Sequence, residues 1–111
     1  MRGVRLTRAL VLEVAQRVAD GAGGFAEQWQ ALGTVWADVR PGAGREGDAL
    51  GAAVAVQPLR IVVRGVPQGH ALRPVAGMRL RGGARLFRLL AVTEADAGGR
   101  YLVCAAEEVS A

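Results

Sequence analysis

Side chains able to serve as nucleophile, general base or metal ligand are scarce in this chain. Its 111 residues hold one histidine (His70), one cysteine (Cys104), one serine (Ser110) and no lysine. Nucleophilic catalysis needs a hydroxyl or thiol within reach of a base that is itself held in place. Ser110 stands next to last, where chain ends tend to fray, so a positioned serine is not expected. Cys104 lies in the apolar run Tyr101-Leu102-Val103-Cys104-Ala105-Ala106 and reads as packing, while His70 belongs to the loop sequence Val66-Pro67-Gln68-Gly69-His70. A closed zinc site takes about four ligands dominated by Cys and His, and this chain supplies one of each. Asp96 and the pair Glu107-Glu108 offer a hard cation little, and a solvated acidic end explains them. The glycines at 21, 23 and 24 lack the lysine and hydroxyl of a phosphate loop and the spacing of a dinucleotide fingerprint. The expectation is a protein that is not an enzyme, with no catalytic residue, no cofactor and no metal.

What the chain has in quantity is arginine: all 14 basic residues are Arg, against 10 acids. Their order is uneven. Residues 1–48 carry six arginines and six acids, and residues 49–93 carry seven arginines and no acid: Arg60, Arg64, Arg73, Arg79, Arg81, Arg85 and Arg88. Beyond them Glu94, Asp96, Glu107 and Glu108 face Arg100 alone. Segregation of this kind supplies a basic surface for nucleic acid, or complementary faces by which identical copies adhere. The third reading is that arginines cover the solvent side of strands.

The elements that would carry these charges read as strands. Leu59, Ile61 and Val63 alternate with Arg60 and Arg64, and Met78 and Leu80 with Arg79 and Arg81, as in half-buried strands. Residues 86–92 are apolar on both faces, the pattern of a central strand, and residues 101–106 follow the turn Asp96-Ala97-Gly98-Gly99. Residues 10–18 fit a strand or a helix, because Val11 and Ala15 break the alternation, and they end in the turn Asp20-Gly21-Ala22-Gly23-Gly24. Residues 25–39 hold Trp29 and Trp36, and large aromatics in a chain with so few are expected in the core, as is Phe87. Residues 41–56, with glycine at 42, 44, 47 and 51, read as a loop with a possible short helix over 48–56. Strands about ten residues apart with glycine turns between them predict a mainly β fold: a small antiparallel β-barrel or sandwich with long loops and at most one short helix.

At 51% apolar residues the chain has enough for one modest core, so residues 1–111 read as a single domain. No run approaches the roughly 18 apolar residues of a membrane span, and the first residues lead into no signal-peptide pattern. A single cysteine suits a reducing cytoplasm. The expectation is a soluble, unexported protein without a membrane partner.

One ordered set of features is specific. The turn Asp20-Gly21-Ala22-Gly23-Gly24-Phe25 is followed by Trp29, by Thr34-Val35-Trp36-Ala37-Asp38-Val39 and by Arg45-Glu46. Then come Arg60-Ile61-Val62-Val63-Arg64, Leu72-Arg73-Pro74 with Met78-Arg79-Leu80, Arg85-Leu86-Phe87-Arg88-Leu89 and finally Glu107. This order resembles the phage head-to-tail adaptor or joining family, the head-completion or stopper proteins, over nearly the whole chain. The departures are Val75-Ala76-Gly77 and the alanine-rich residues 49–56, both in loop-like regions. The resemblance implies a small β-barrel working in a homo-oligomeric ring, a hexamer, at the neck of a virion or of a gene transfer agent particle. Its partners would be the portal or adaptor on one side, the tail terminator or tail tube on the other, and packaged double-stranded DNA in the channel, with assembly in the bacterial cytoplasm. The resemblance does not separate stopper from adaptor or tail terminator. In such a ring Arg60, Arg64, Arg79, Arg81, Arg85 and Arg88 would pair with Glu107 and Glu108 of an adjacent copy or face the DNA channel. Two loops, residues 41–56 and 66–72, are long enough to project from the barrel, and the first, with Arg45, Glu46, Gly47 and Asp48, would gate the channel or dock a neighbour. The alternative is a small basic β-barrel that binds nucleic acid, against which stands the lack of aromatics other than Phe87 among the arginines.

Overall fold

Alternation in the sequence becomes a closed wall of strands. The structure is a computed structural model that describes residues 3–42 and 57–109. Its strands are β1 (Arg8–Ala19), β2 (Phe25–Pro41), β3 (Pro58–Arg64), β4 (Arg79–Gly82), β5 (Arg85–Glu94) and β6 (Tyr101–Val109). All neighbours are antiparallel, and the order β1-β2-β3-β6-β5-β4 closes into a barrel through the short pairing of β1 with β4. Closure leaves the barrel without an unpaired seam, which a strand sheet of this size otherwise exposes. The mainly β, antiparallel reading of the sequence holds, no helix occurs among the described residues, and the short helix considered for residues 48–56 falls outside them.

Every strand contributes its inward positions to one core: Leu10 and Leu12 from β1, Ala37 from β2, Leu59, Ile61 and Val63 from β3, Leu80 from β4, Phe87 and Leu89 from β5, and Leu102, Cys104 and Ala106 from β6. The period-2 rule places the next residue of each strand outside, where Arg60, Arg64 and Arg88 are exposed. Residues 86–92 are therefore one-sided rather than buried on both faces. Phe87 and Leu89 point in, while Leu90 is the extra residue of a bulge between Leu89 and Ala91 and is 51% exposed.

The same logic corrects the placement of the tryptophans. Ala37 is fully buried, so its neighbour Trp36 must point outward, and it is 56% exposed instead of lying in the core. A second bulge, at Leu32 between the pairs Leu12↔Gly33 and Glu13↔Ala31, shifts the alternation of β2 by one. Unbroken alternation from Ala37 would send Trp29 inward. The bulge turns it onto the outer face instead, half-buried beside Ala15. Phe87 does sit in the core, fully buried, with the guanidiniums of Arg85 and Arg8 at 5.0 and 5.9 Å from its ring centre.

Beyond the bulge, β1 and β2 leave the barrel. Among the described residues, 14–19 and 25–30 pair only with each other, through Val14↔Gln30 to Ala19↔Phe25, whereas β4 stops at Glu13 and β3 reaches no further along β2 than Ala37. They form a two-stranded arm that helps make the molecule 51 Å long and 25 Å thin. Its tip is closed by Asp20, whose Oδ1 accepts from the amides of Ala22 at 2.8 Å and Gly24 at 3.1 Å, with Gly21 and Gly23 at positive φ. Those donors hold the Asp20 carboxyl below its ordinary pKa. Residues 65–78 cross the arm's end of the barrel, where the Leu72 side chain occupies the space that a Cβ on Gly33 would need. The described ends of the 43–56 segment, Gly42 and Gln57, lie at the opposite end, fastened by the Gly42 amide to the Pro58 carbonyl at 2.9 Å.

Candidate functional site

The candidate surfaces are those whose charges and apolar side chains the fold leaves available among the described residues. Cys104 and His70 differ in their access to solvent. Cys104 is fully buried in β6 between Ile61 and Val92, and burial pushes its thiol up to about 12. His70 is exposed in the 65–78 segment, its Nδ1 accepting the Leu72 amide at 3.0 Å.

The arginines divide into engaged and open sets. Glu13, 5% exposed at the root of the arm, accepts from Arg79 Nε at 2.6 Å and from Arg81 Nε at 2.9 Å. Burial acts to raise the pKa of Glu13, but the hydrogen bonds from Arg81 and Arg79 outweigh it and hold the carboxyl below its ordinary value. Arg79 also lies over the ring of Trp29 at 4.2 Å, so Glu13, Arg79 and Trp29 join β1, β4 and the arm. On the hairpin of β5 and β6, Arg88 pairs with Glu107, and Arg85 holds Glu108 in a two-pronged pair at 2.8 Å for each contact. The Arg85 guanidinium keeps the Glu108 carboxyl below its ordinary pKa.

Thus the basic middle and the acidic end of the chain meet within a single copy. The register Arg88↔Glu107 sets the two residues equally far from the turn at 97–98, and that symmetry was the sequence signal for a hairpin which charge segregation alone did not reveal. Arg60 and Arg64 remain: both are exposed on the outer side of β3 and have no ion pair among the described residues. Between them Val62, pointing the same way, is fully buried. Beside it, across the β2–β3 pairing, stands Asp38, which receives the Arg5 amide at 2.9 Å and Arg40 Nη2 at 2.9 Å. Arg40 also donates to the Gly3 carbonyl at 2.7 Å, so the segment leading into β1 is strapped over this part of the wall. These donors hold the Asp38 carboxyl below its ordinary pKa. The residues Arg45, Glu46, Gly47 and Asp48, expected to gate or dock, lie outside the described residues.

One surface was not anticipated from the sequence. Where β3 ends, Leu6, Val35, Trp36, Val63, Val66 and Leu72 enclose a cavity of about 300 Å³ that opens to solvent, with Arg64 at its edge. Trp36 on its rim is the feature that expecting every tryptophan in the core conceals.

The comparisons with known proteins point one way. No curated protein sequence matches the chain. Among solved structures, a chain of the virion of a native gene transfer agent particle is 54% identical, with 96% of this chain and 98% of that one covered and a TM-score of 0.77. Protein SF1141 from Shigella flexneri 2a, solved in solution, shares the fold at 22% identity and a TM-score of 0.69, with 97% and 96% covered. The phage head completion protein family matches residues 1–109, virtually the full length over which the strands, the arm and the paired charges have been described. The chain belongs to the phage head completion protein family.

Proposed function

We propose that this chain is a structural, non-catalytic subunit of the head-to-tail connector of a tailed phage or gene transfer agent particle. It works as one copy in a closed ring, a hexamer, at the neck. The ring follows the portal or adaptor, helps retain packaged DNA and offers the tail its docking surface. The observation that carries the reading is the 54% identity, end to end, with a chain of a gene transfer agent virion. The physics of the molecule agrees with it. A closed barrel is a rigid wedge, and the burial of Cys104 in the core with His70 exposed in a loop supports a role without covalent chemistry. Arg60 and Arg64, which pair with no carboxylate among the described residues, supply the positive charge that a DNA channel or a neighbour's acids require.

The test is production of particles from cells lacking the gene. The reading predicts capsids without tails, whose packaged DNA becomes sensitive to nuclease, with both defects repaired by supplying the chain in trans. Tailed, nuclease-resistant particles without the chain overturn it. A tight gel shift by the free protein that weakens steeply with salt supports the nucleic-acid-binding reading instead.

A further inference from the structure

The arm ends in an exposed aromatic, and the barrel carries an apolar cavity that no described residue fills. Phe25, at the tip pairing Ala19↔Phe25, is 63% exposed with only the Arg17 guanidinium over one ring face at 4.4 Å. Glu27 follows two residues later on the same side of β2. It stands across from Arg17 in register, but Arg17 is turned onto Phe25, and Glu27 has no ion pair among the described residues. The cavity beside Trp36 presents the complement: an apolar hollow of about 300 Å³ with Arg64, which has no ion pair among the described residues, in its lining.

We infer that the arm of one copy docks on the barrel of the next, Phe25 entering the neighbour's Trp36-lined cavity and Glu27 pairing with the neighbour's Arg64. The contact has to be between copies. Phe25 and Trp36 lie on one extended strand, so at about 3.3 Å per residue they are roughly 35 Å apart, and the arm cannot fold back onto its own cavity. Tip and cavity are different surfaces, so the contact is heterologous: every copy gives one arm and receives one, the arrangement that closes rings of identical subunits. An arm of two strands whose edges no described residue pairs is marginal in water alone, and seating it on a second barrel removes that weakness. The exposed aromatic in a pocket is the anchor, and the rim ion pair sets register and excludes wrong partners. The inference rests on the connector reading for the repetition of the chain, but its residues come from this structure.

Particles assembled from a mixture of Glu27→Cys and Arg64→Cys chains test it. On mild oxidation a disulfide dimer containing one of each variant is expected, whereas particles made with either variant alone should yield none. If both variants enter particles and no mixed dimer forms, the docking is wrong and the connector reading stands. If neither variant enters particles to which the unaltered chain is also no contributor, both fall. A charge swap gives the second readout. E27R and R64E should each lower the yield of complete particles at least about tenfold by setting like charges together, and the combined E27R/R64E chain should recover most of it. Equal yields from all three variants, or no recovery in the double variant, overturn the pairing.

Discussion

Glu13 is the residue on which the arm's attachment turns, and its removal can be worked through in numbers. Its carboxylate takes charged hydrogen bonds from Arg79 at 2.6 Å and Arg81 at 2.9 Å while only 5% exposed. Bonds of this type contribute roughly 1.5–3 kcal/mol each. Their side chains remain 21% and 41% exposed, so water recovers part of the loss once the carboxylate is gone. Glu13→Ala is therefore expected to cost about 2.5 kcal/mol, less than a fully buried broken pair and more than a surface one. For a domain of this length that lowers Tm by about 10 °C. Urea unfolding followed by circular dichroism and tryptophan fluorescence measures it, with an unchanged denaturant slope as the sign that the native state is otherwise intact. The pH dependence supplies an independent check. The folded carboxyl has a lower pKa than its ordinary 4.5, so the unfolded chain binds the extra proton first. The contribution of Glu13 is complete above about pH 4.5 and fades as pH falls through the folded value, and Glu13→Gln should flatten that acid limb. A Glu13→Ala protein within about 0.5 kcal/mol of the parent, with the same acid limb, would refute the reasoning.

Four further outcomes follow from the packing. Phe87→Ala, at a fully buried site in the barrel, is expected to cost about 3–5 kcal/mol in the same unfolding assay. Gly65→Ala would set a Cβ 1.9 Å from the Gly99 carbonyl oxygen, where backbone must move, and should lose at least about 3 kcal/mol by thermal melting or fail to fold, whereas Gly98→Ala, with open space around it, should leave stability nearly unchanged. Cys104 should react with a thiol reagent at pH 8 at least about a hundredfold more slowly in the native protein than in denaturant, since reaction requires opening of the core. Its folded pKa of about 12 exceeds the ordinary 9.0, so the stability it gives as a neutral thiol is complete below pH 9.0 and declines as pH rises towards 12, a decline that Cys104→Ala should remove.

Much of this architecture was legible because short-range rules govern it. The glycine turn at 20–24, the alternation of β3 and β4 and the turns at 82–83 and 96–99 each follow from local chemistry, and together they imply an antiparallel β fold. What escaped was set by partners distant in sequence. The helix-or-strand ambiguity of residues 10–18 was decided by pairing with β2 and β4, which makes all of them strand. The exposure of Trp36 followed from Ala37 occupying the inward position, and that of Trp29 from a one-residue bulge at Leu32. Arg85 and Arg88 looked available to a neighbour because the run of bases is long in sequence, yet the β5–β6 register delivers Glu108 and Glu107 to them in the same chain. The open arginines, Arg60 and Arg64, are those whose strand lies between β2 and β6 at positions without a facing acid: Arg60 is flanked by Arg40 and Ala105, and Arg64 by Tyr101.

The central claim is that identical copies of this barrel form a closed annulus where the capsid meets the tail. A reconstruction of the particle neck by electron cryo-microscopy, with the chain carrying a bulky tag as a positional marker, tests it most directly. The account predicts marked density repeated around the channel at the neck, one copy's arm reaching the next copy's barrel. Marker density elsewhere in the particle, or a complete neck with no marker, would contradict it.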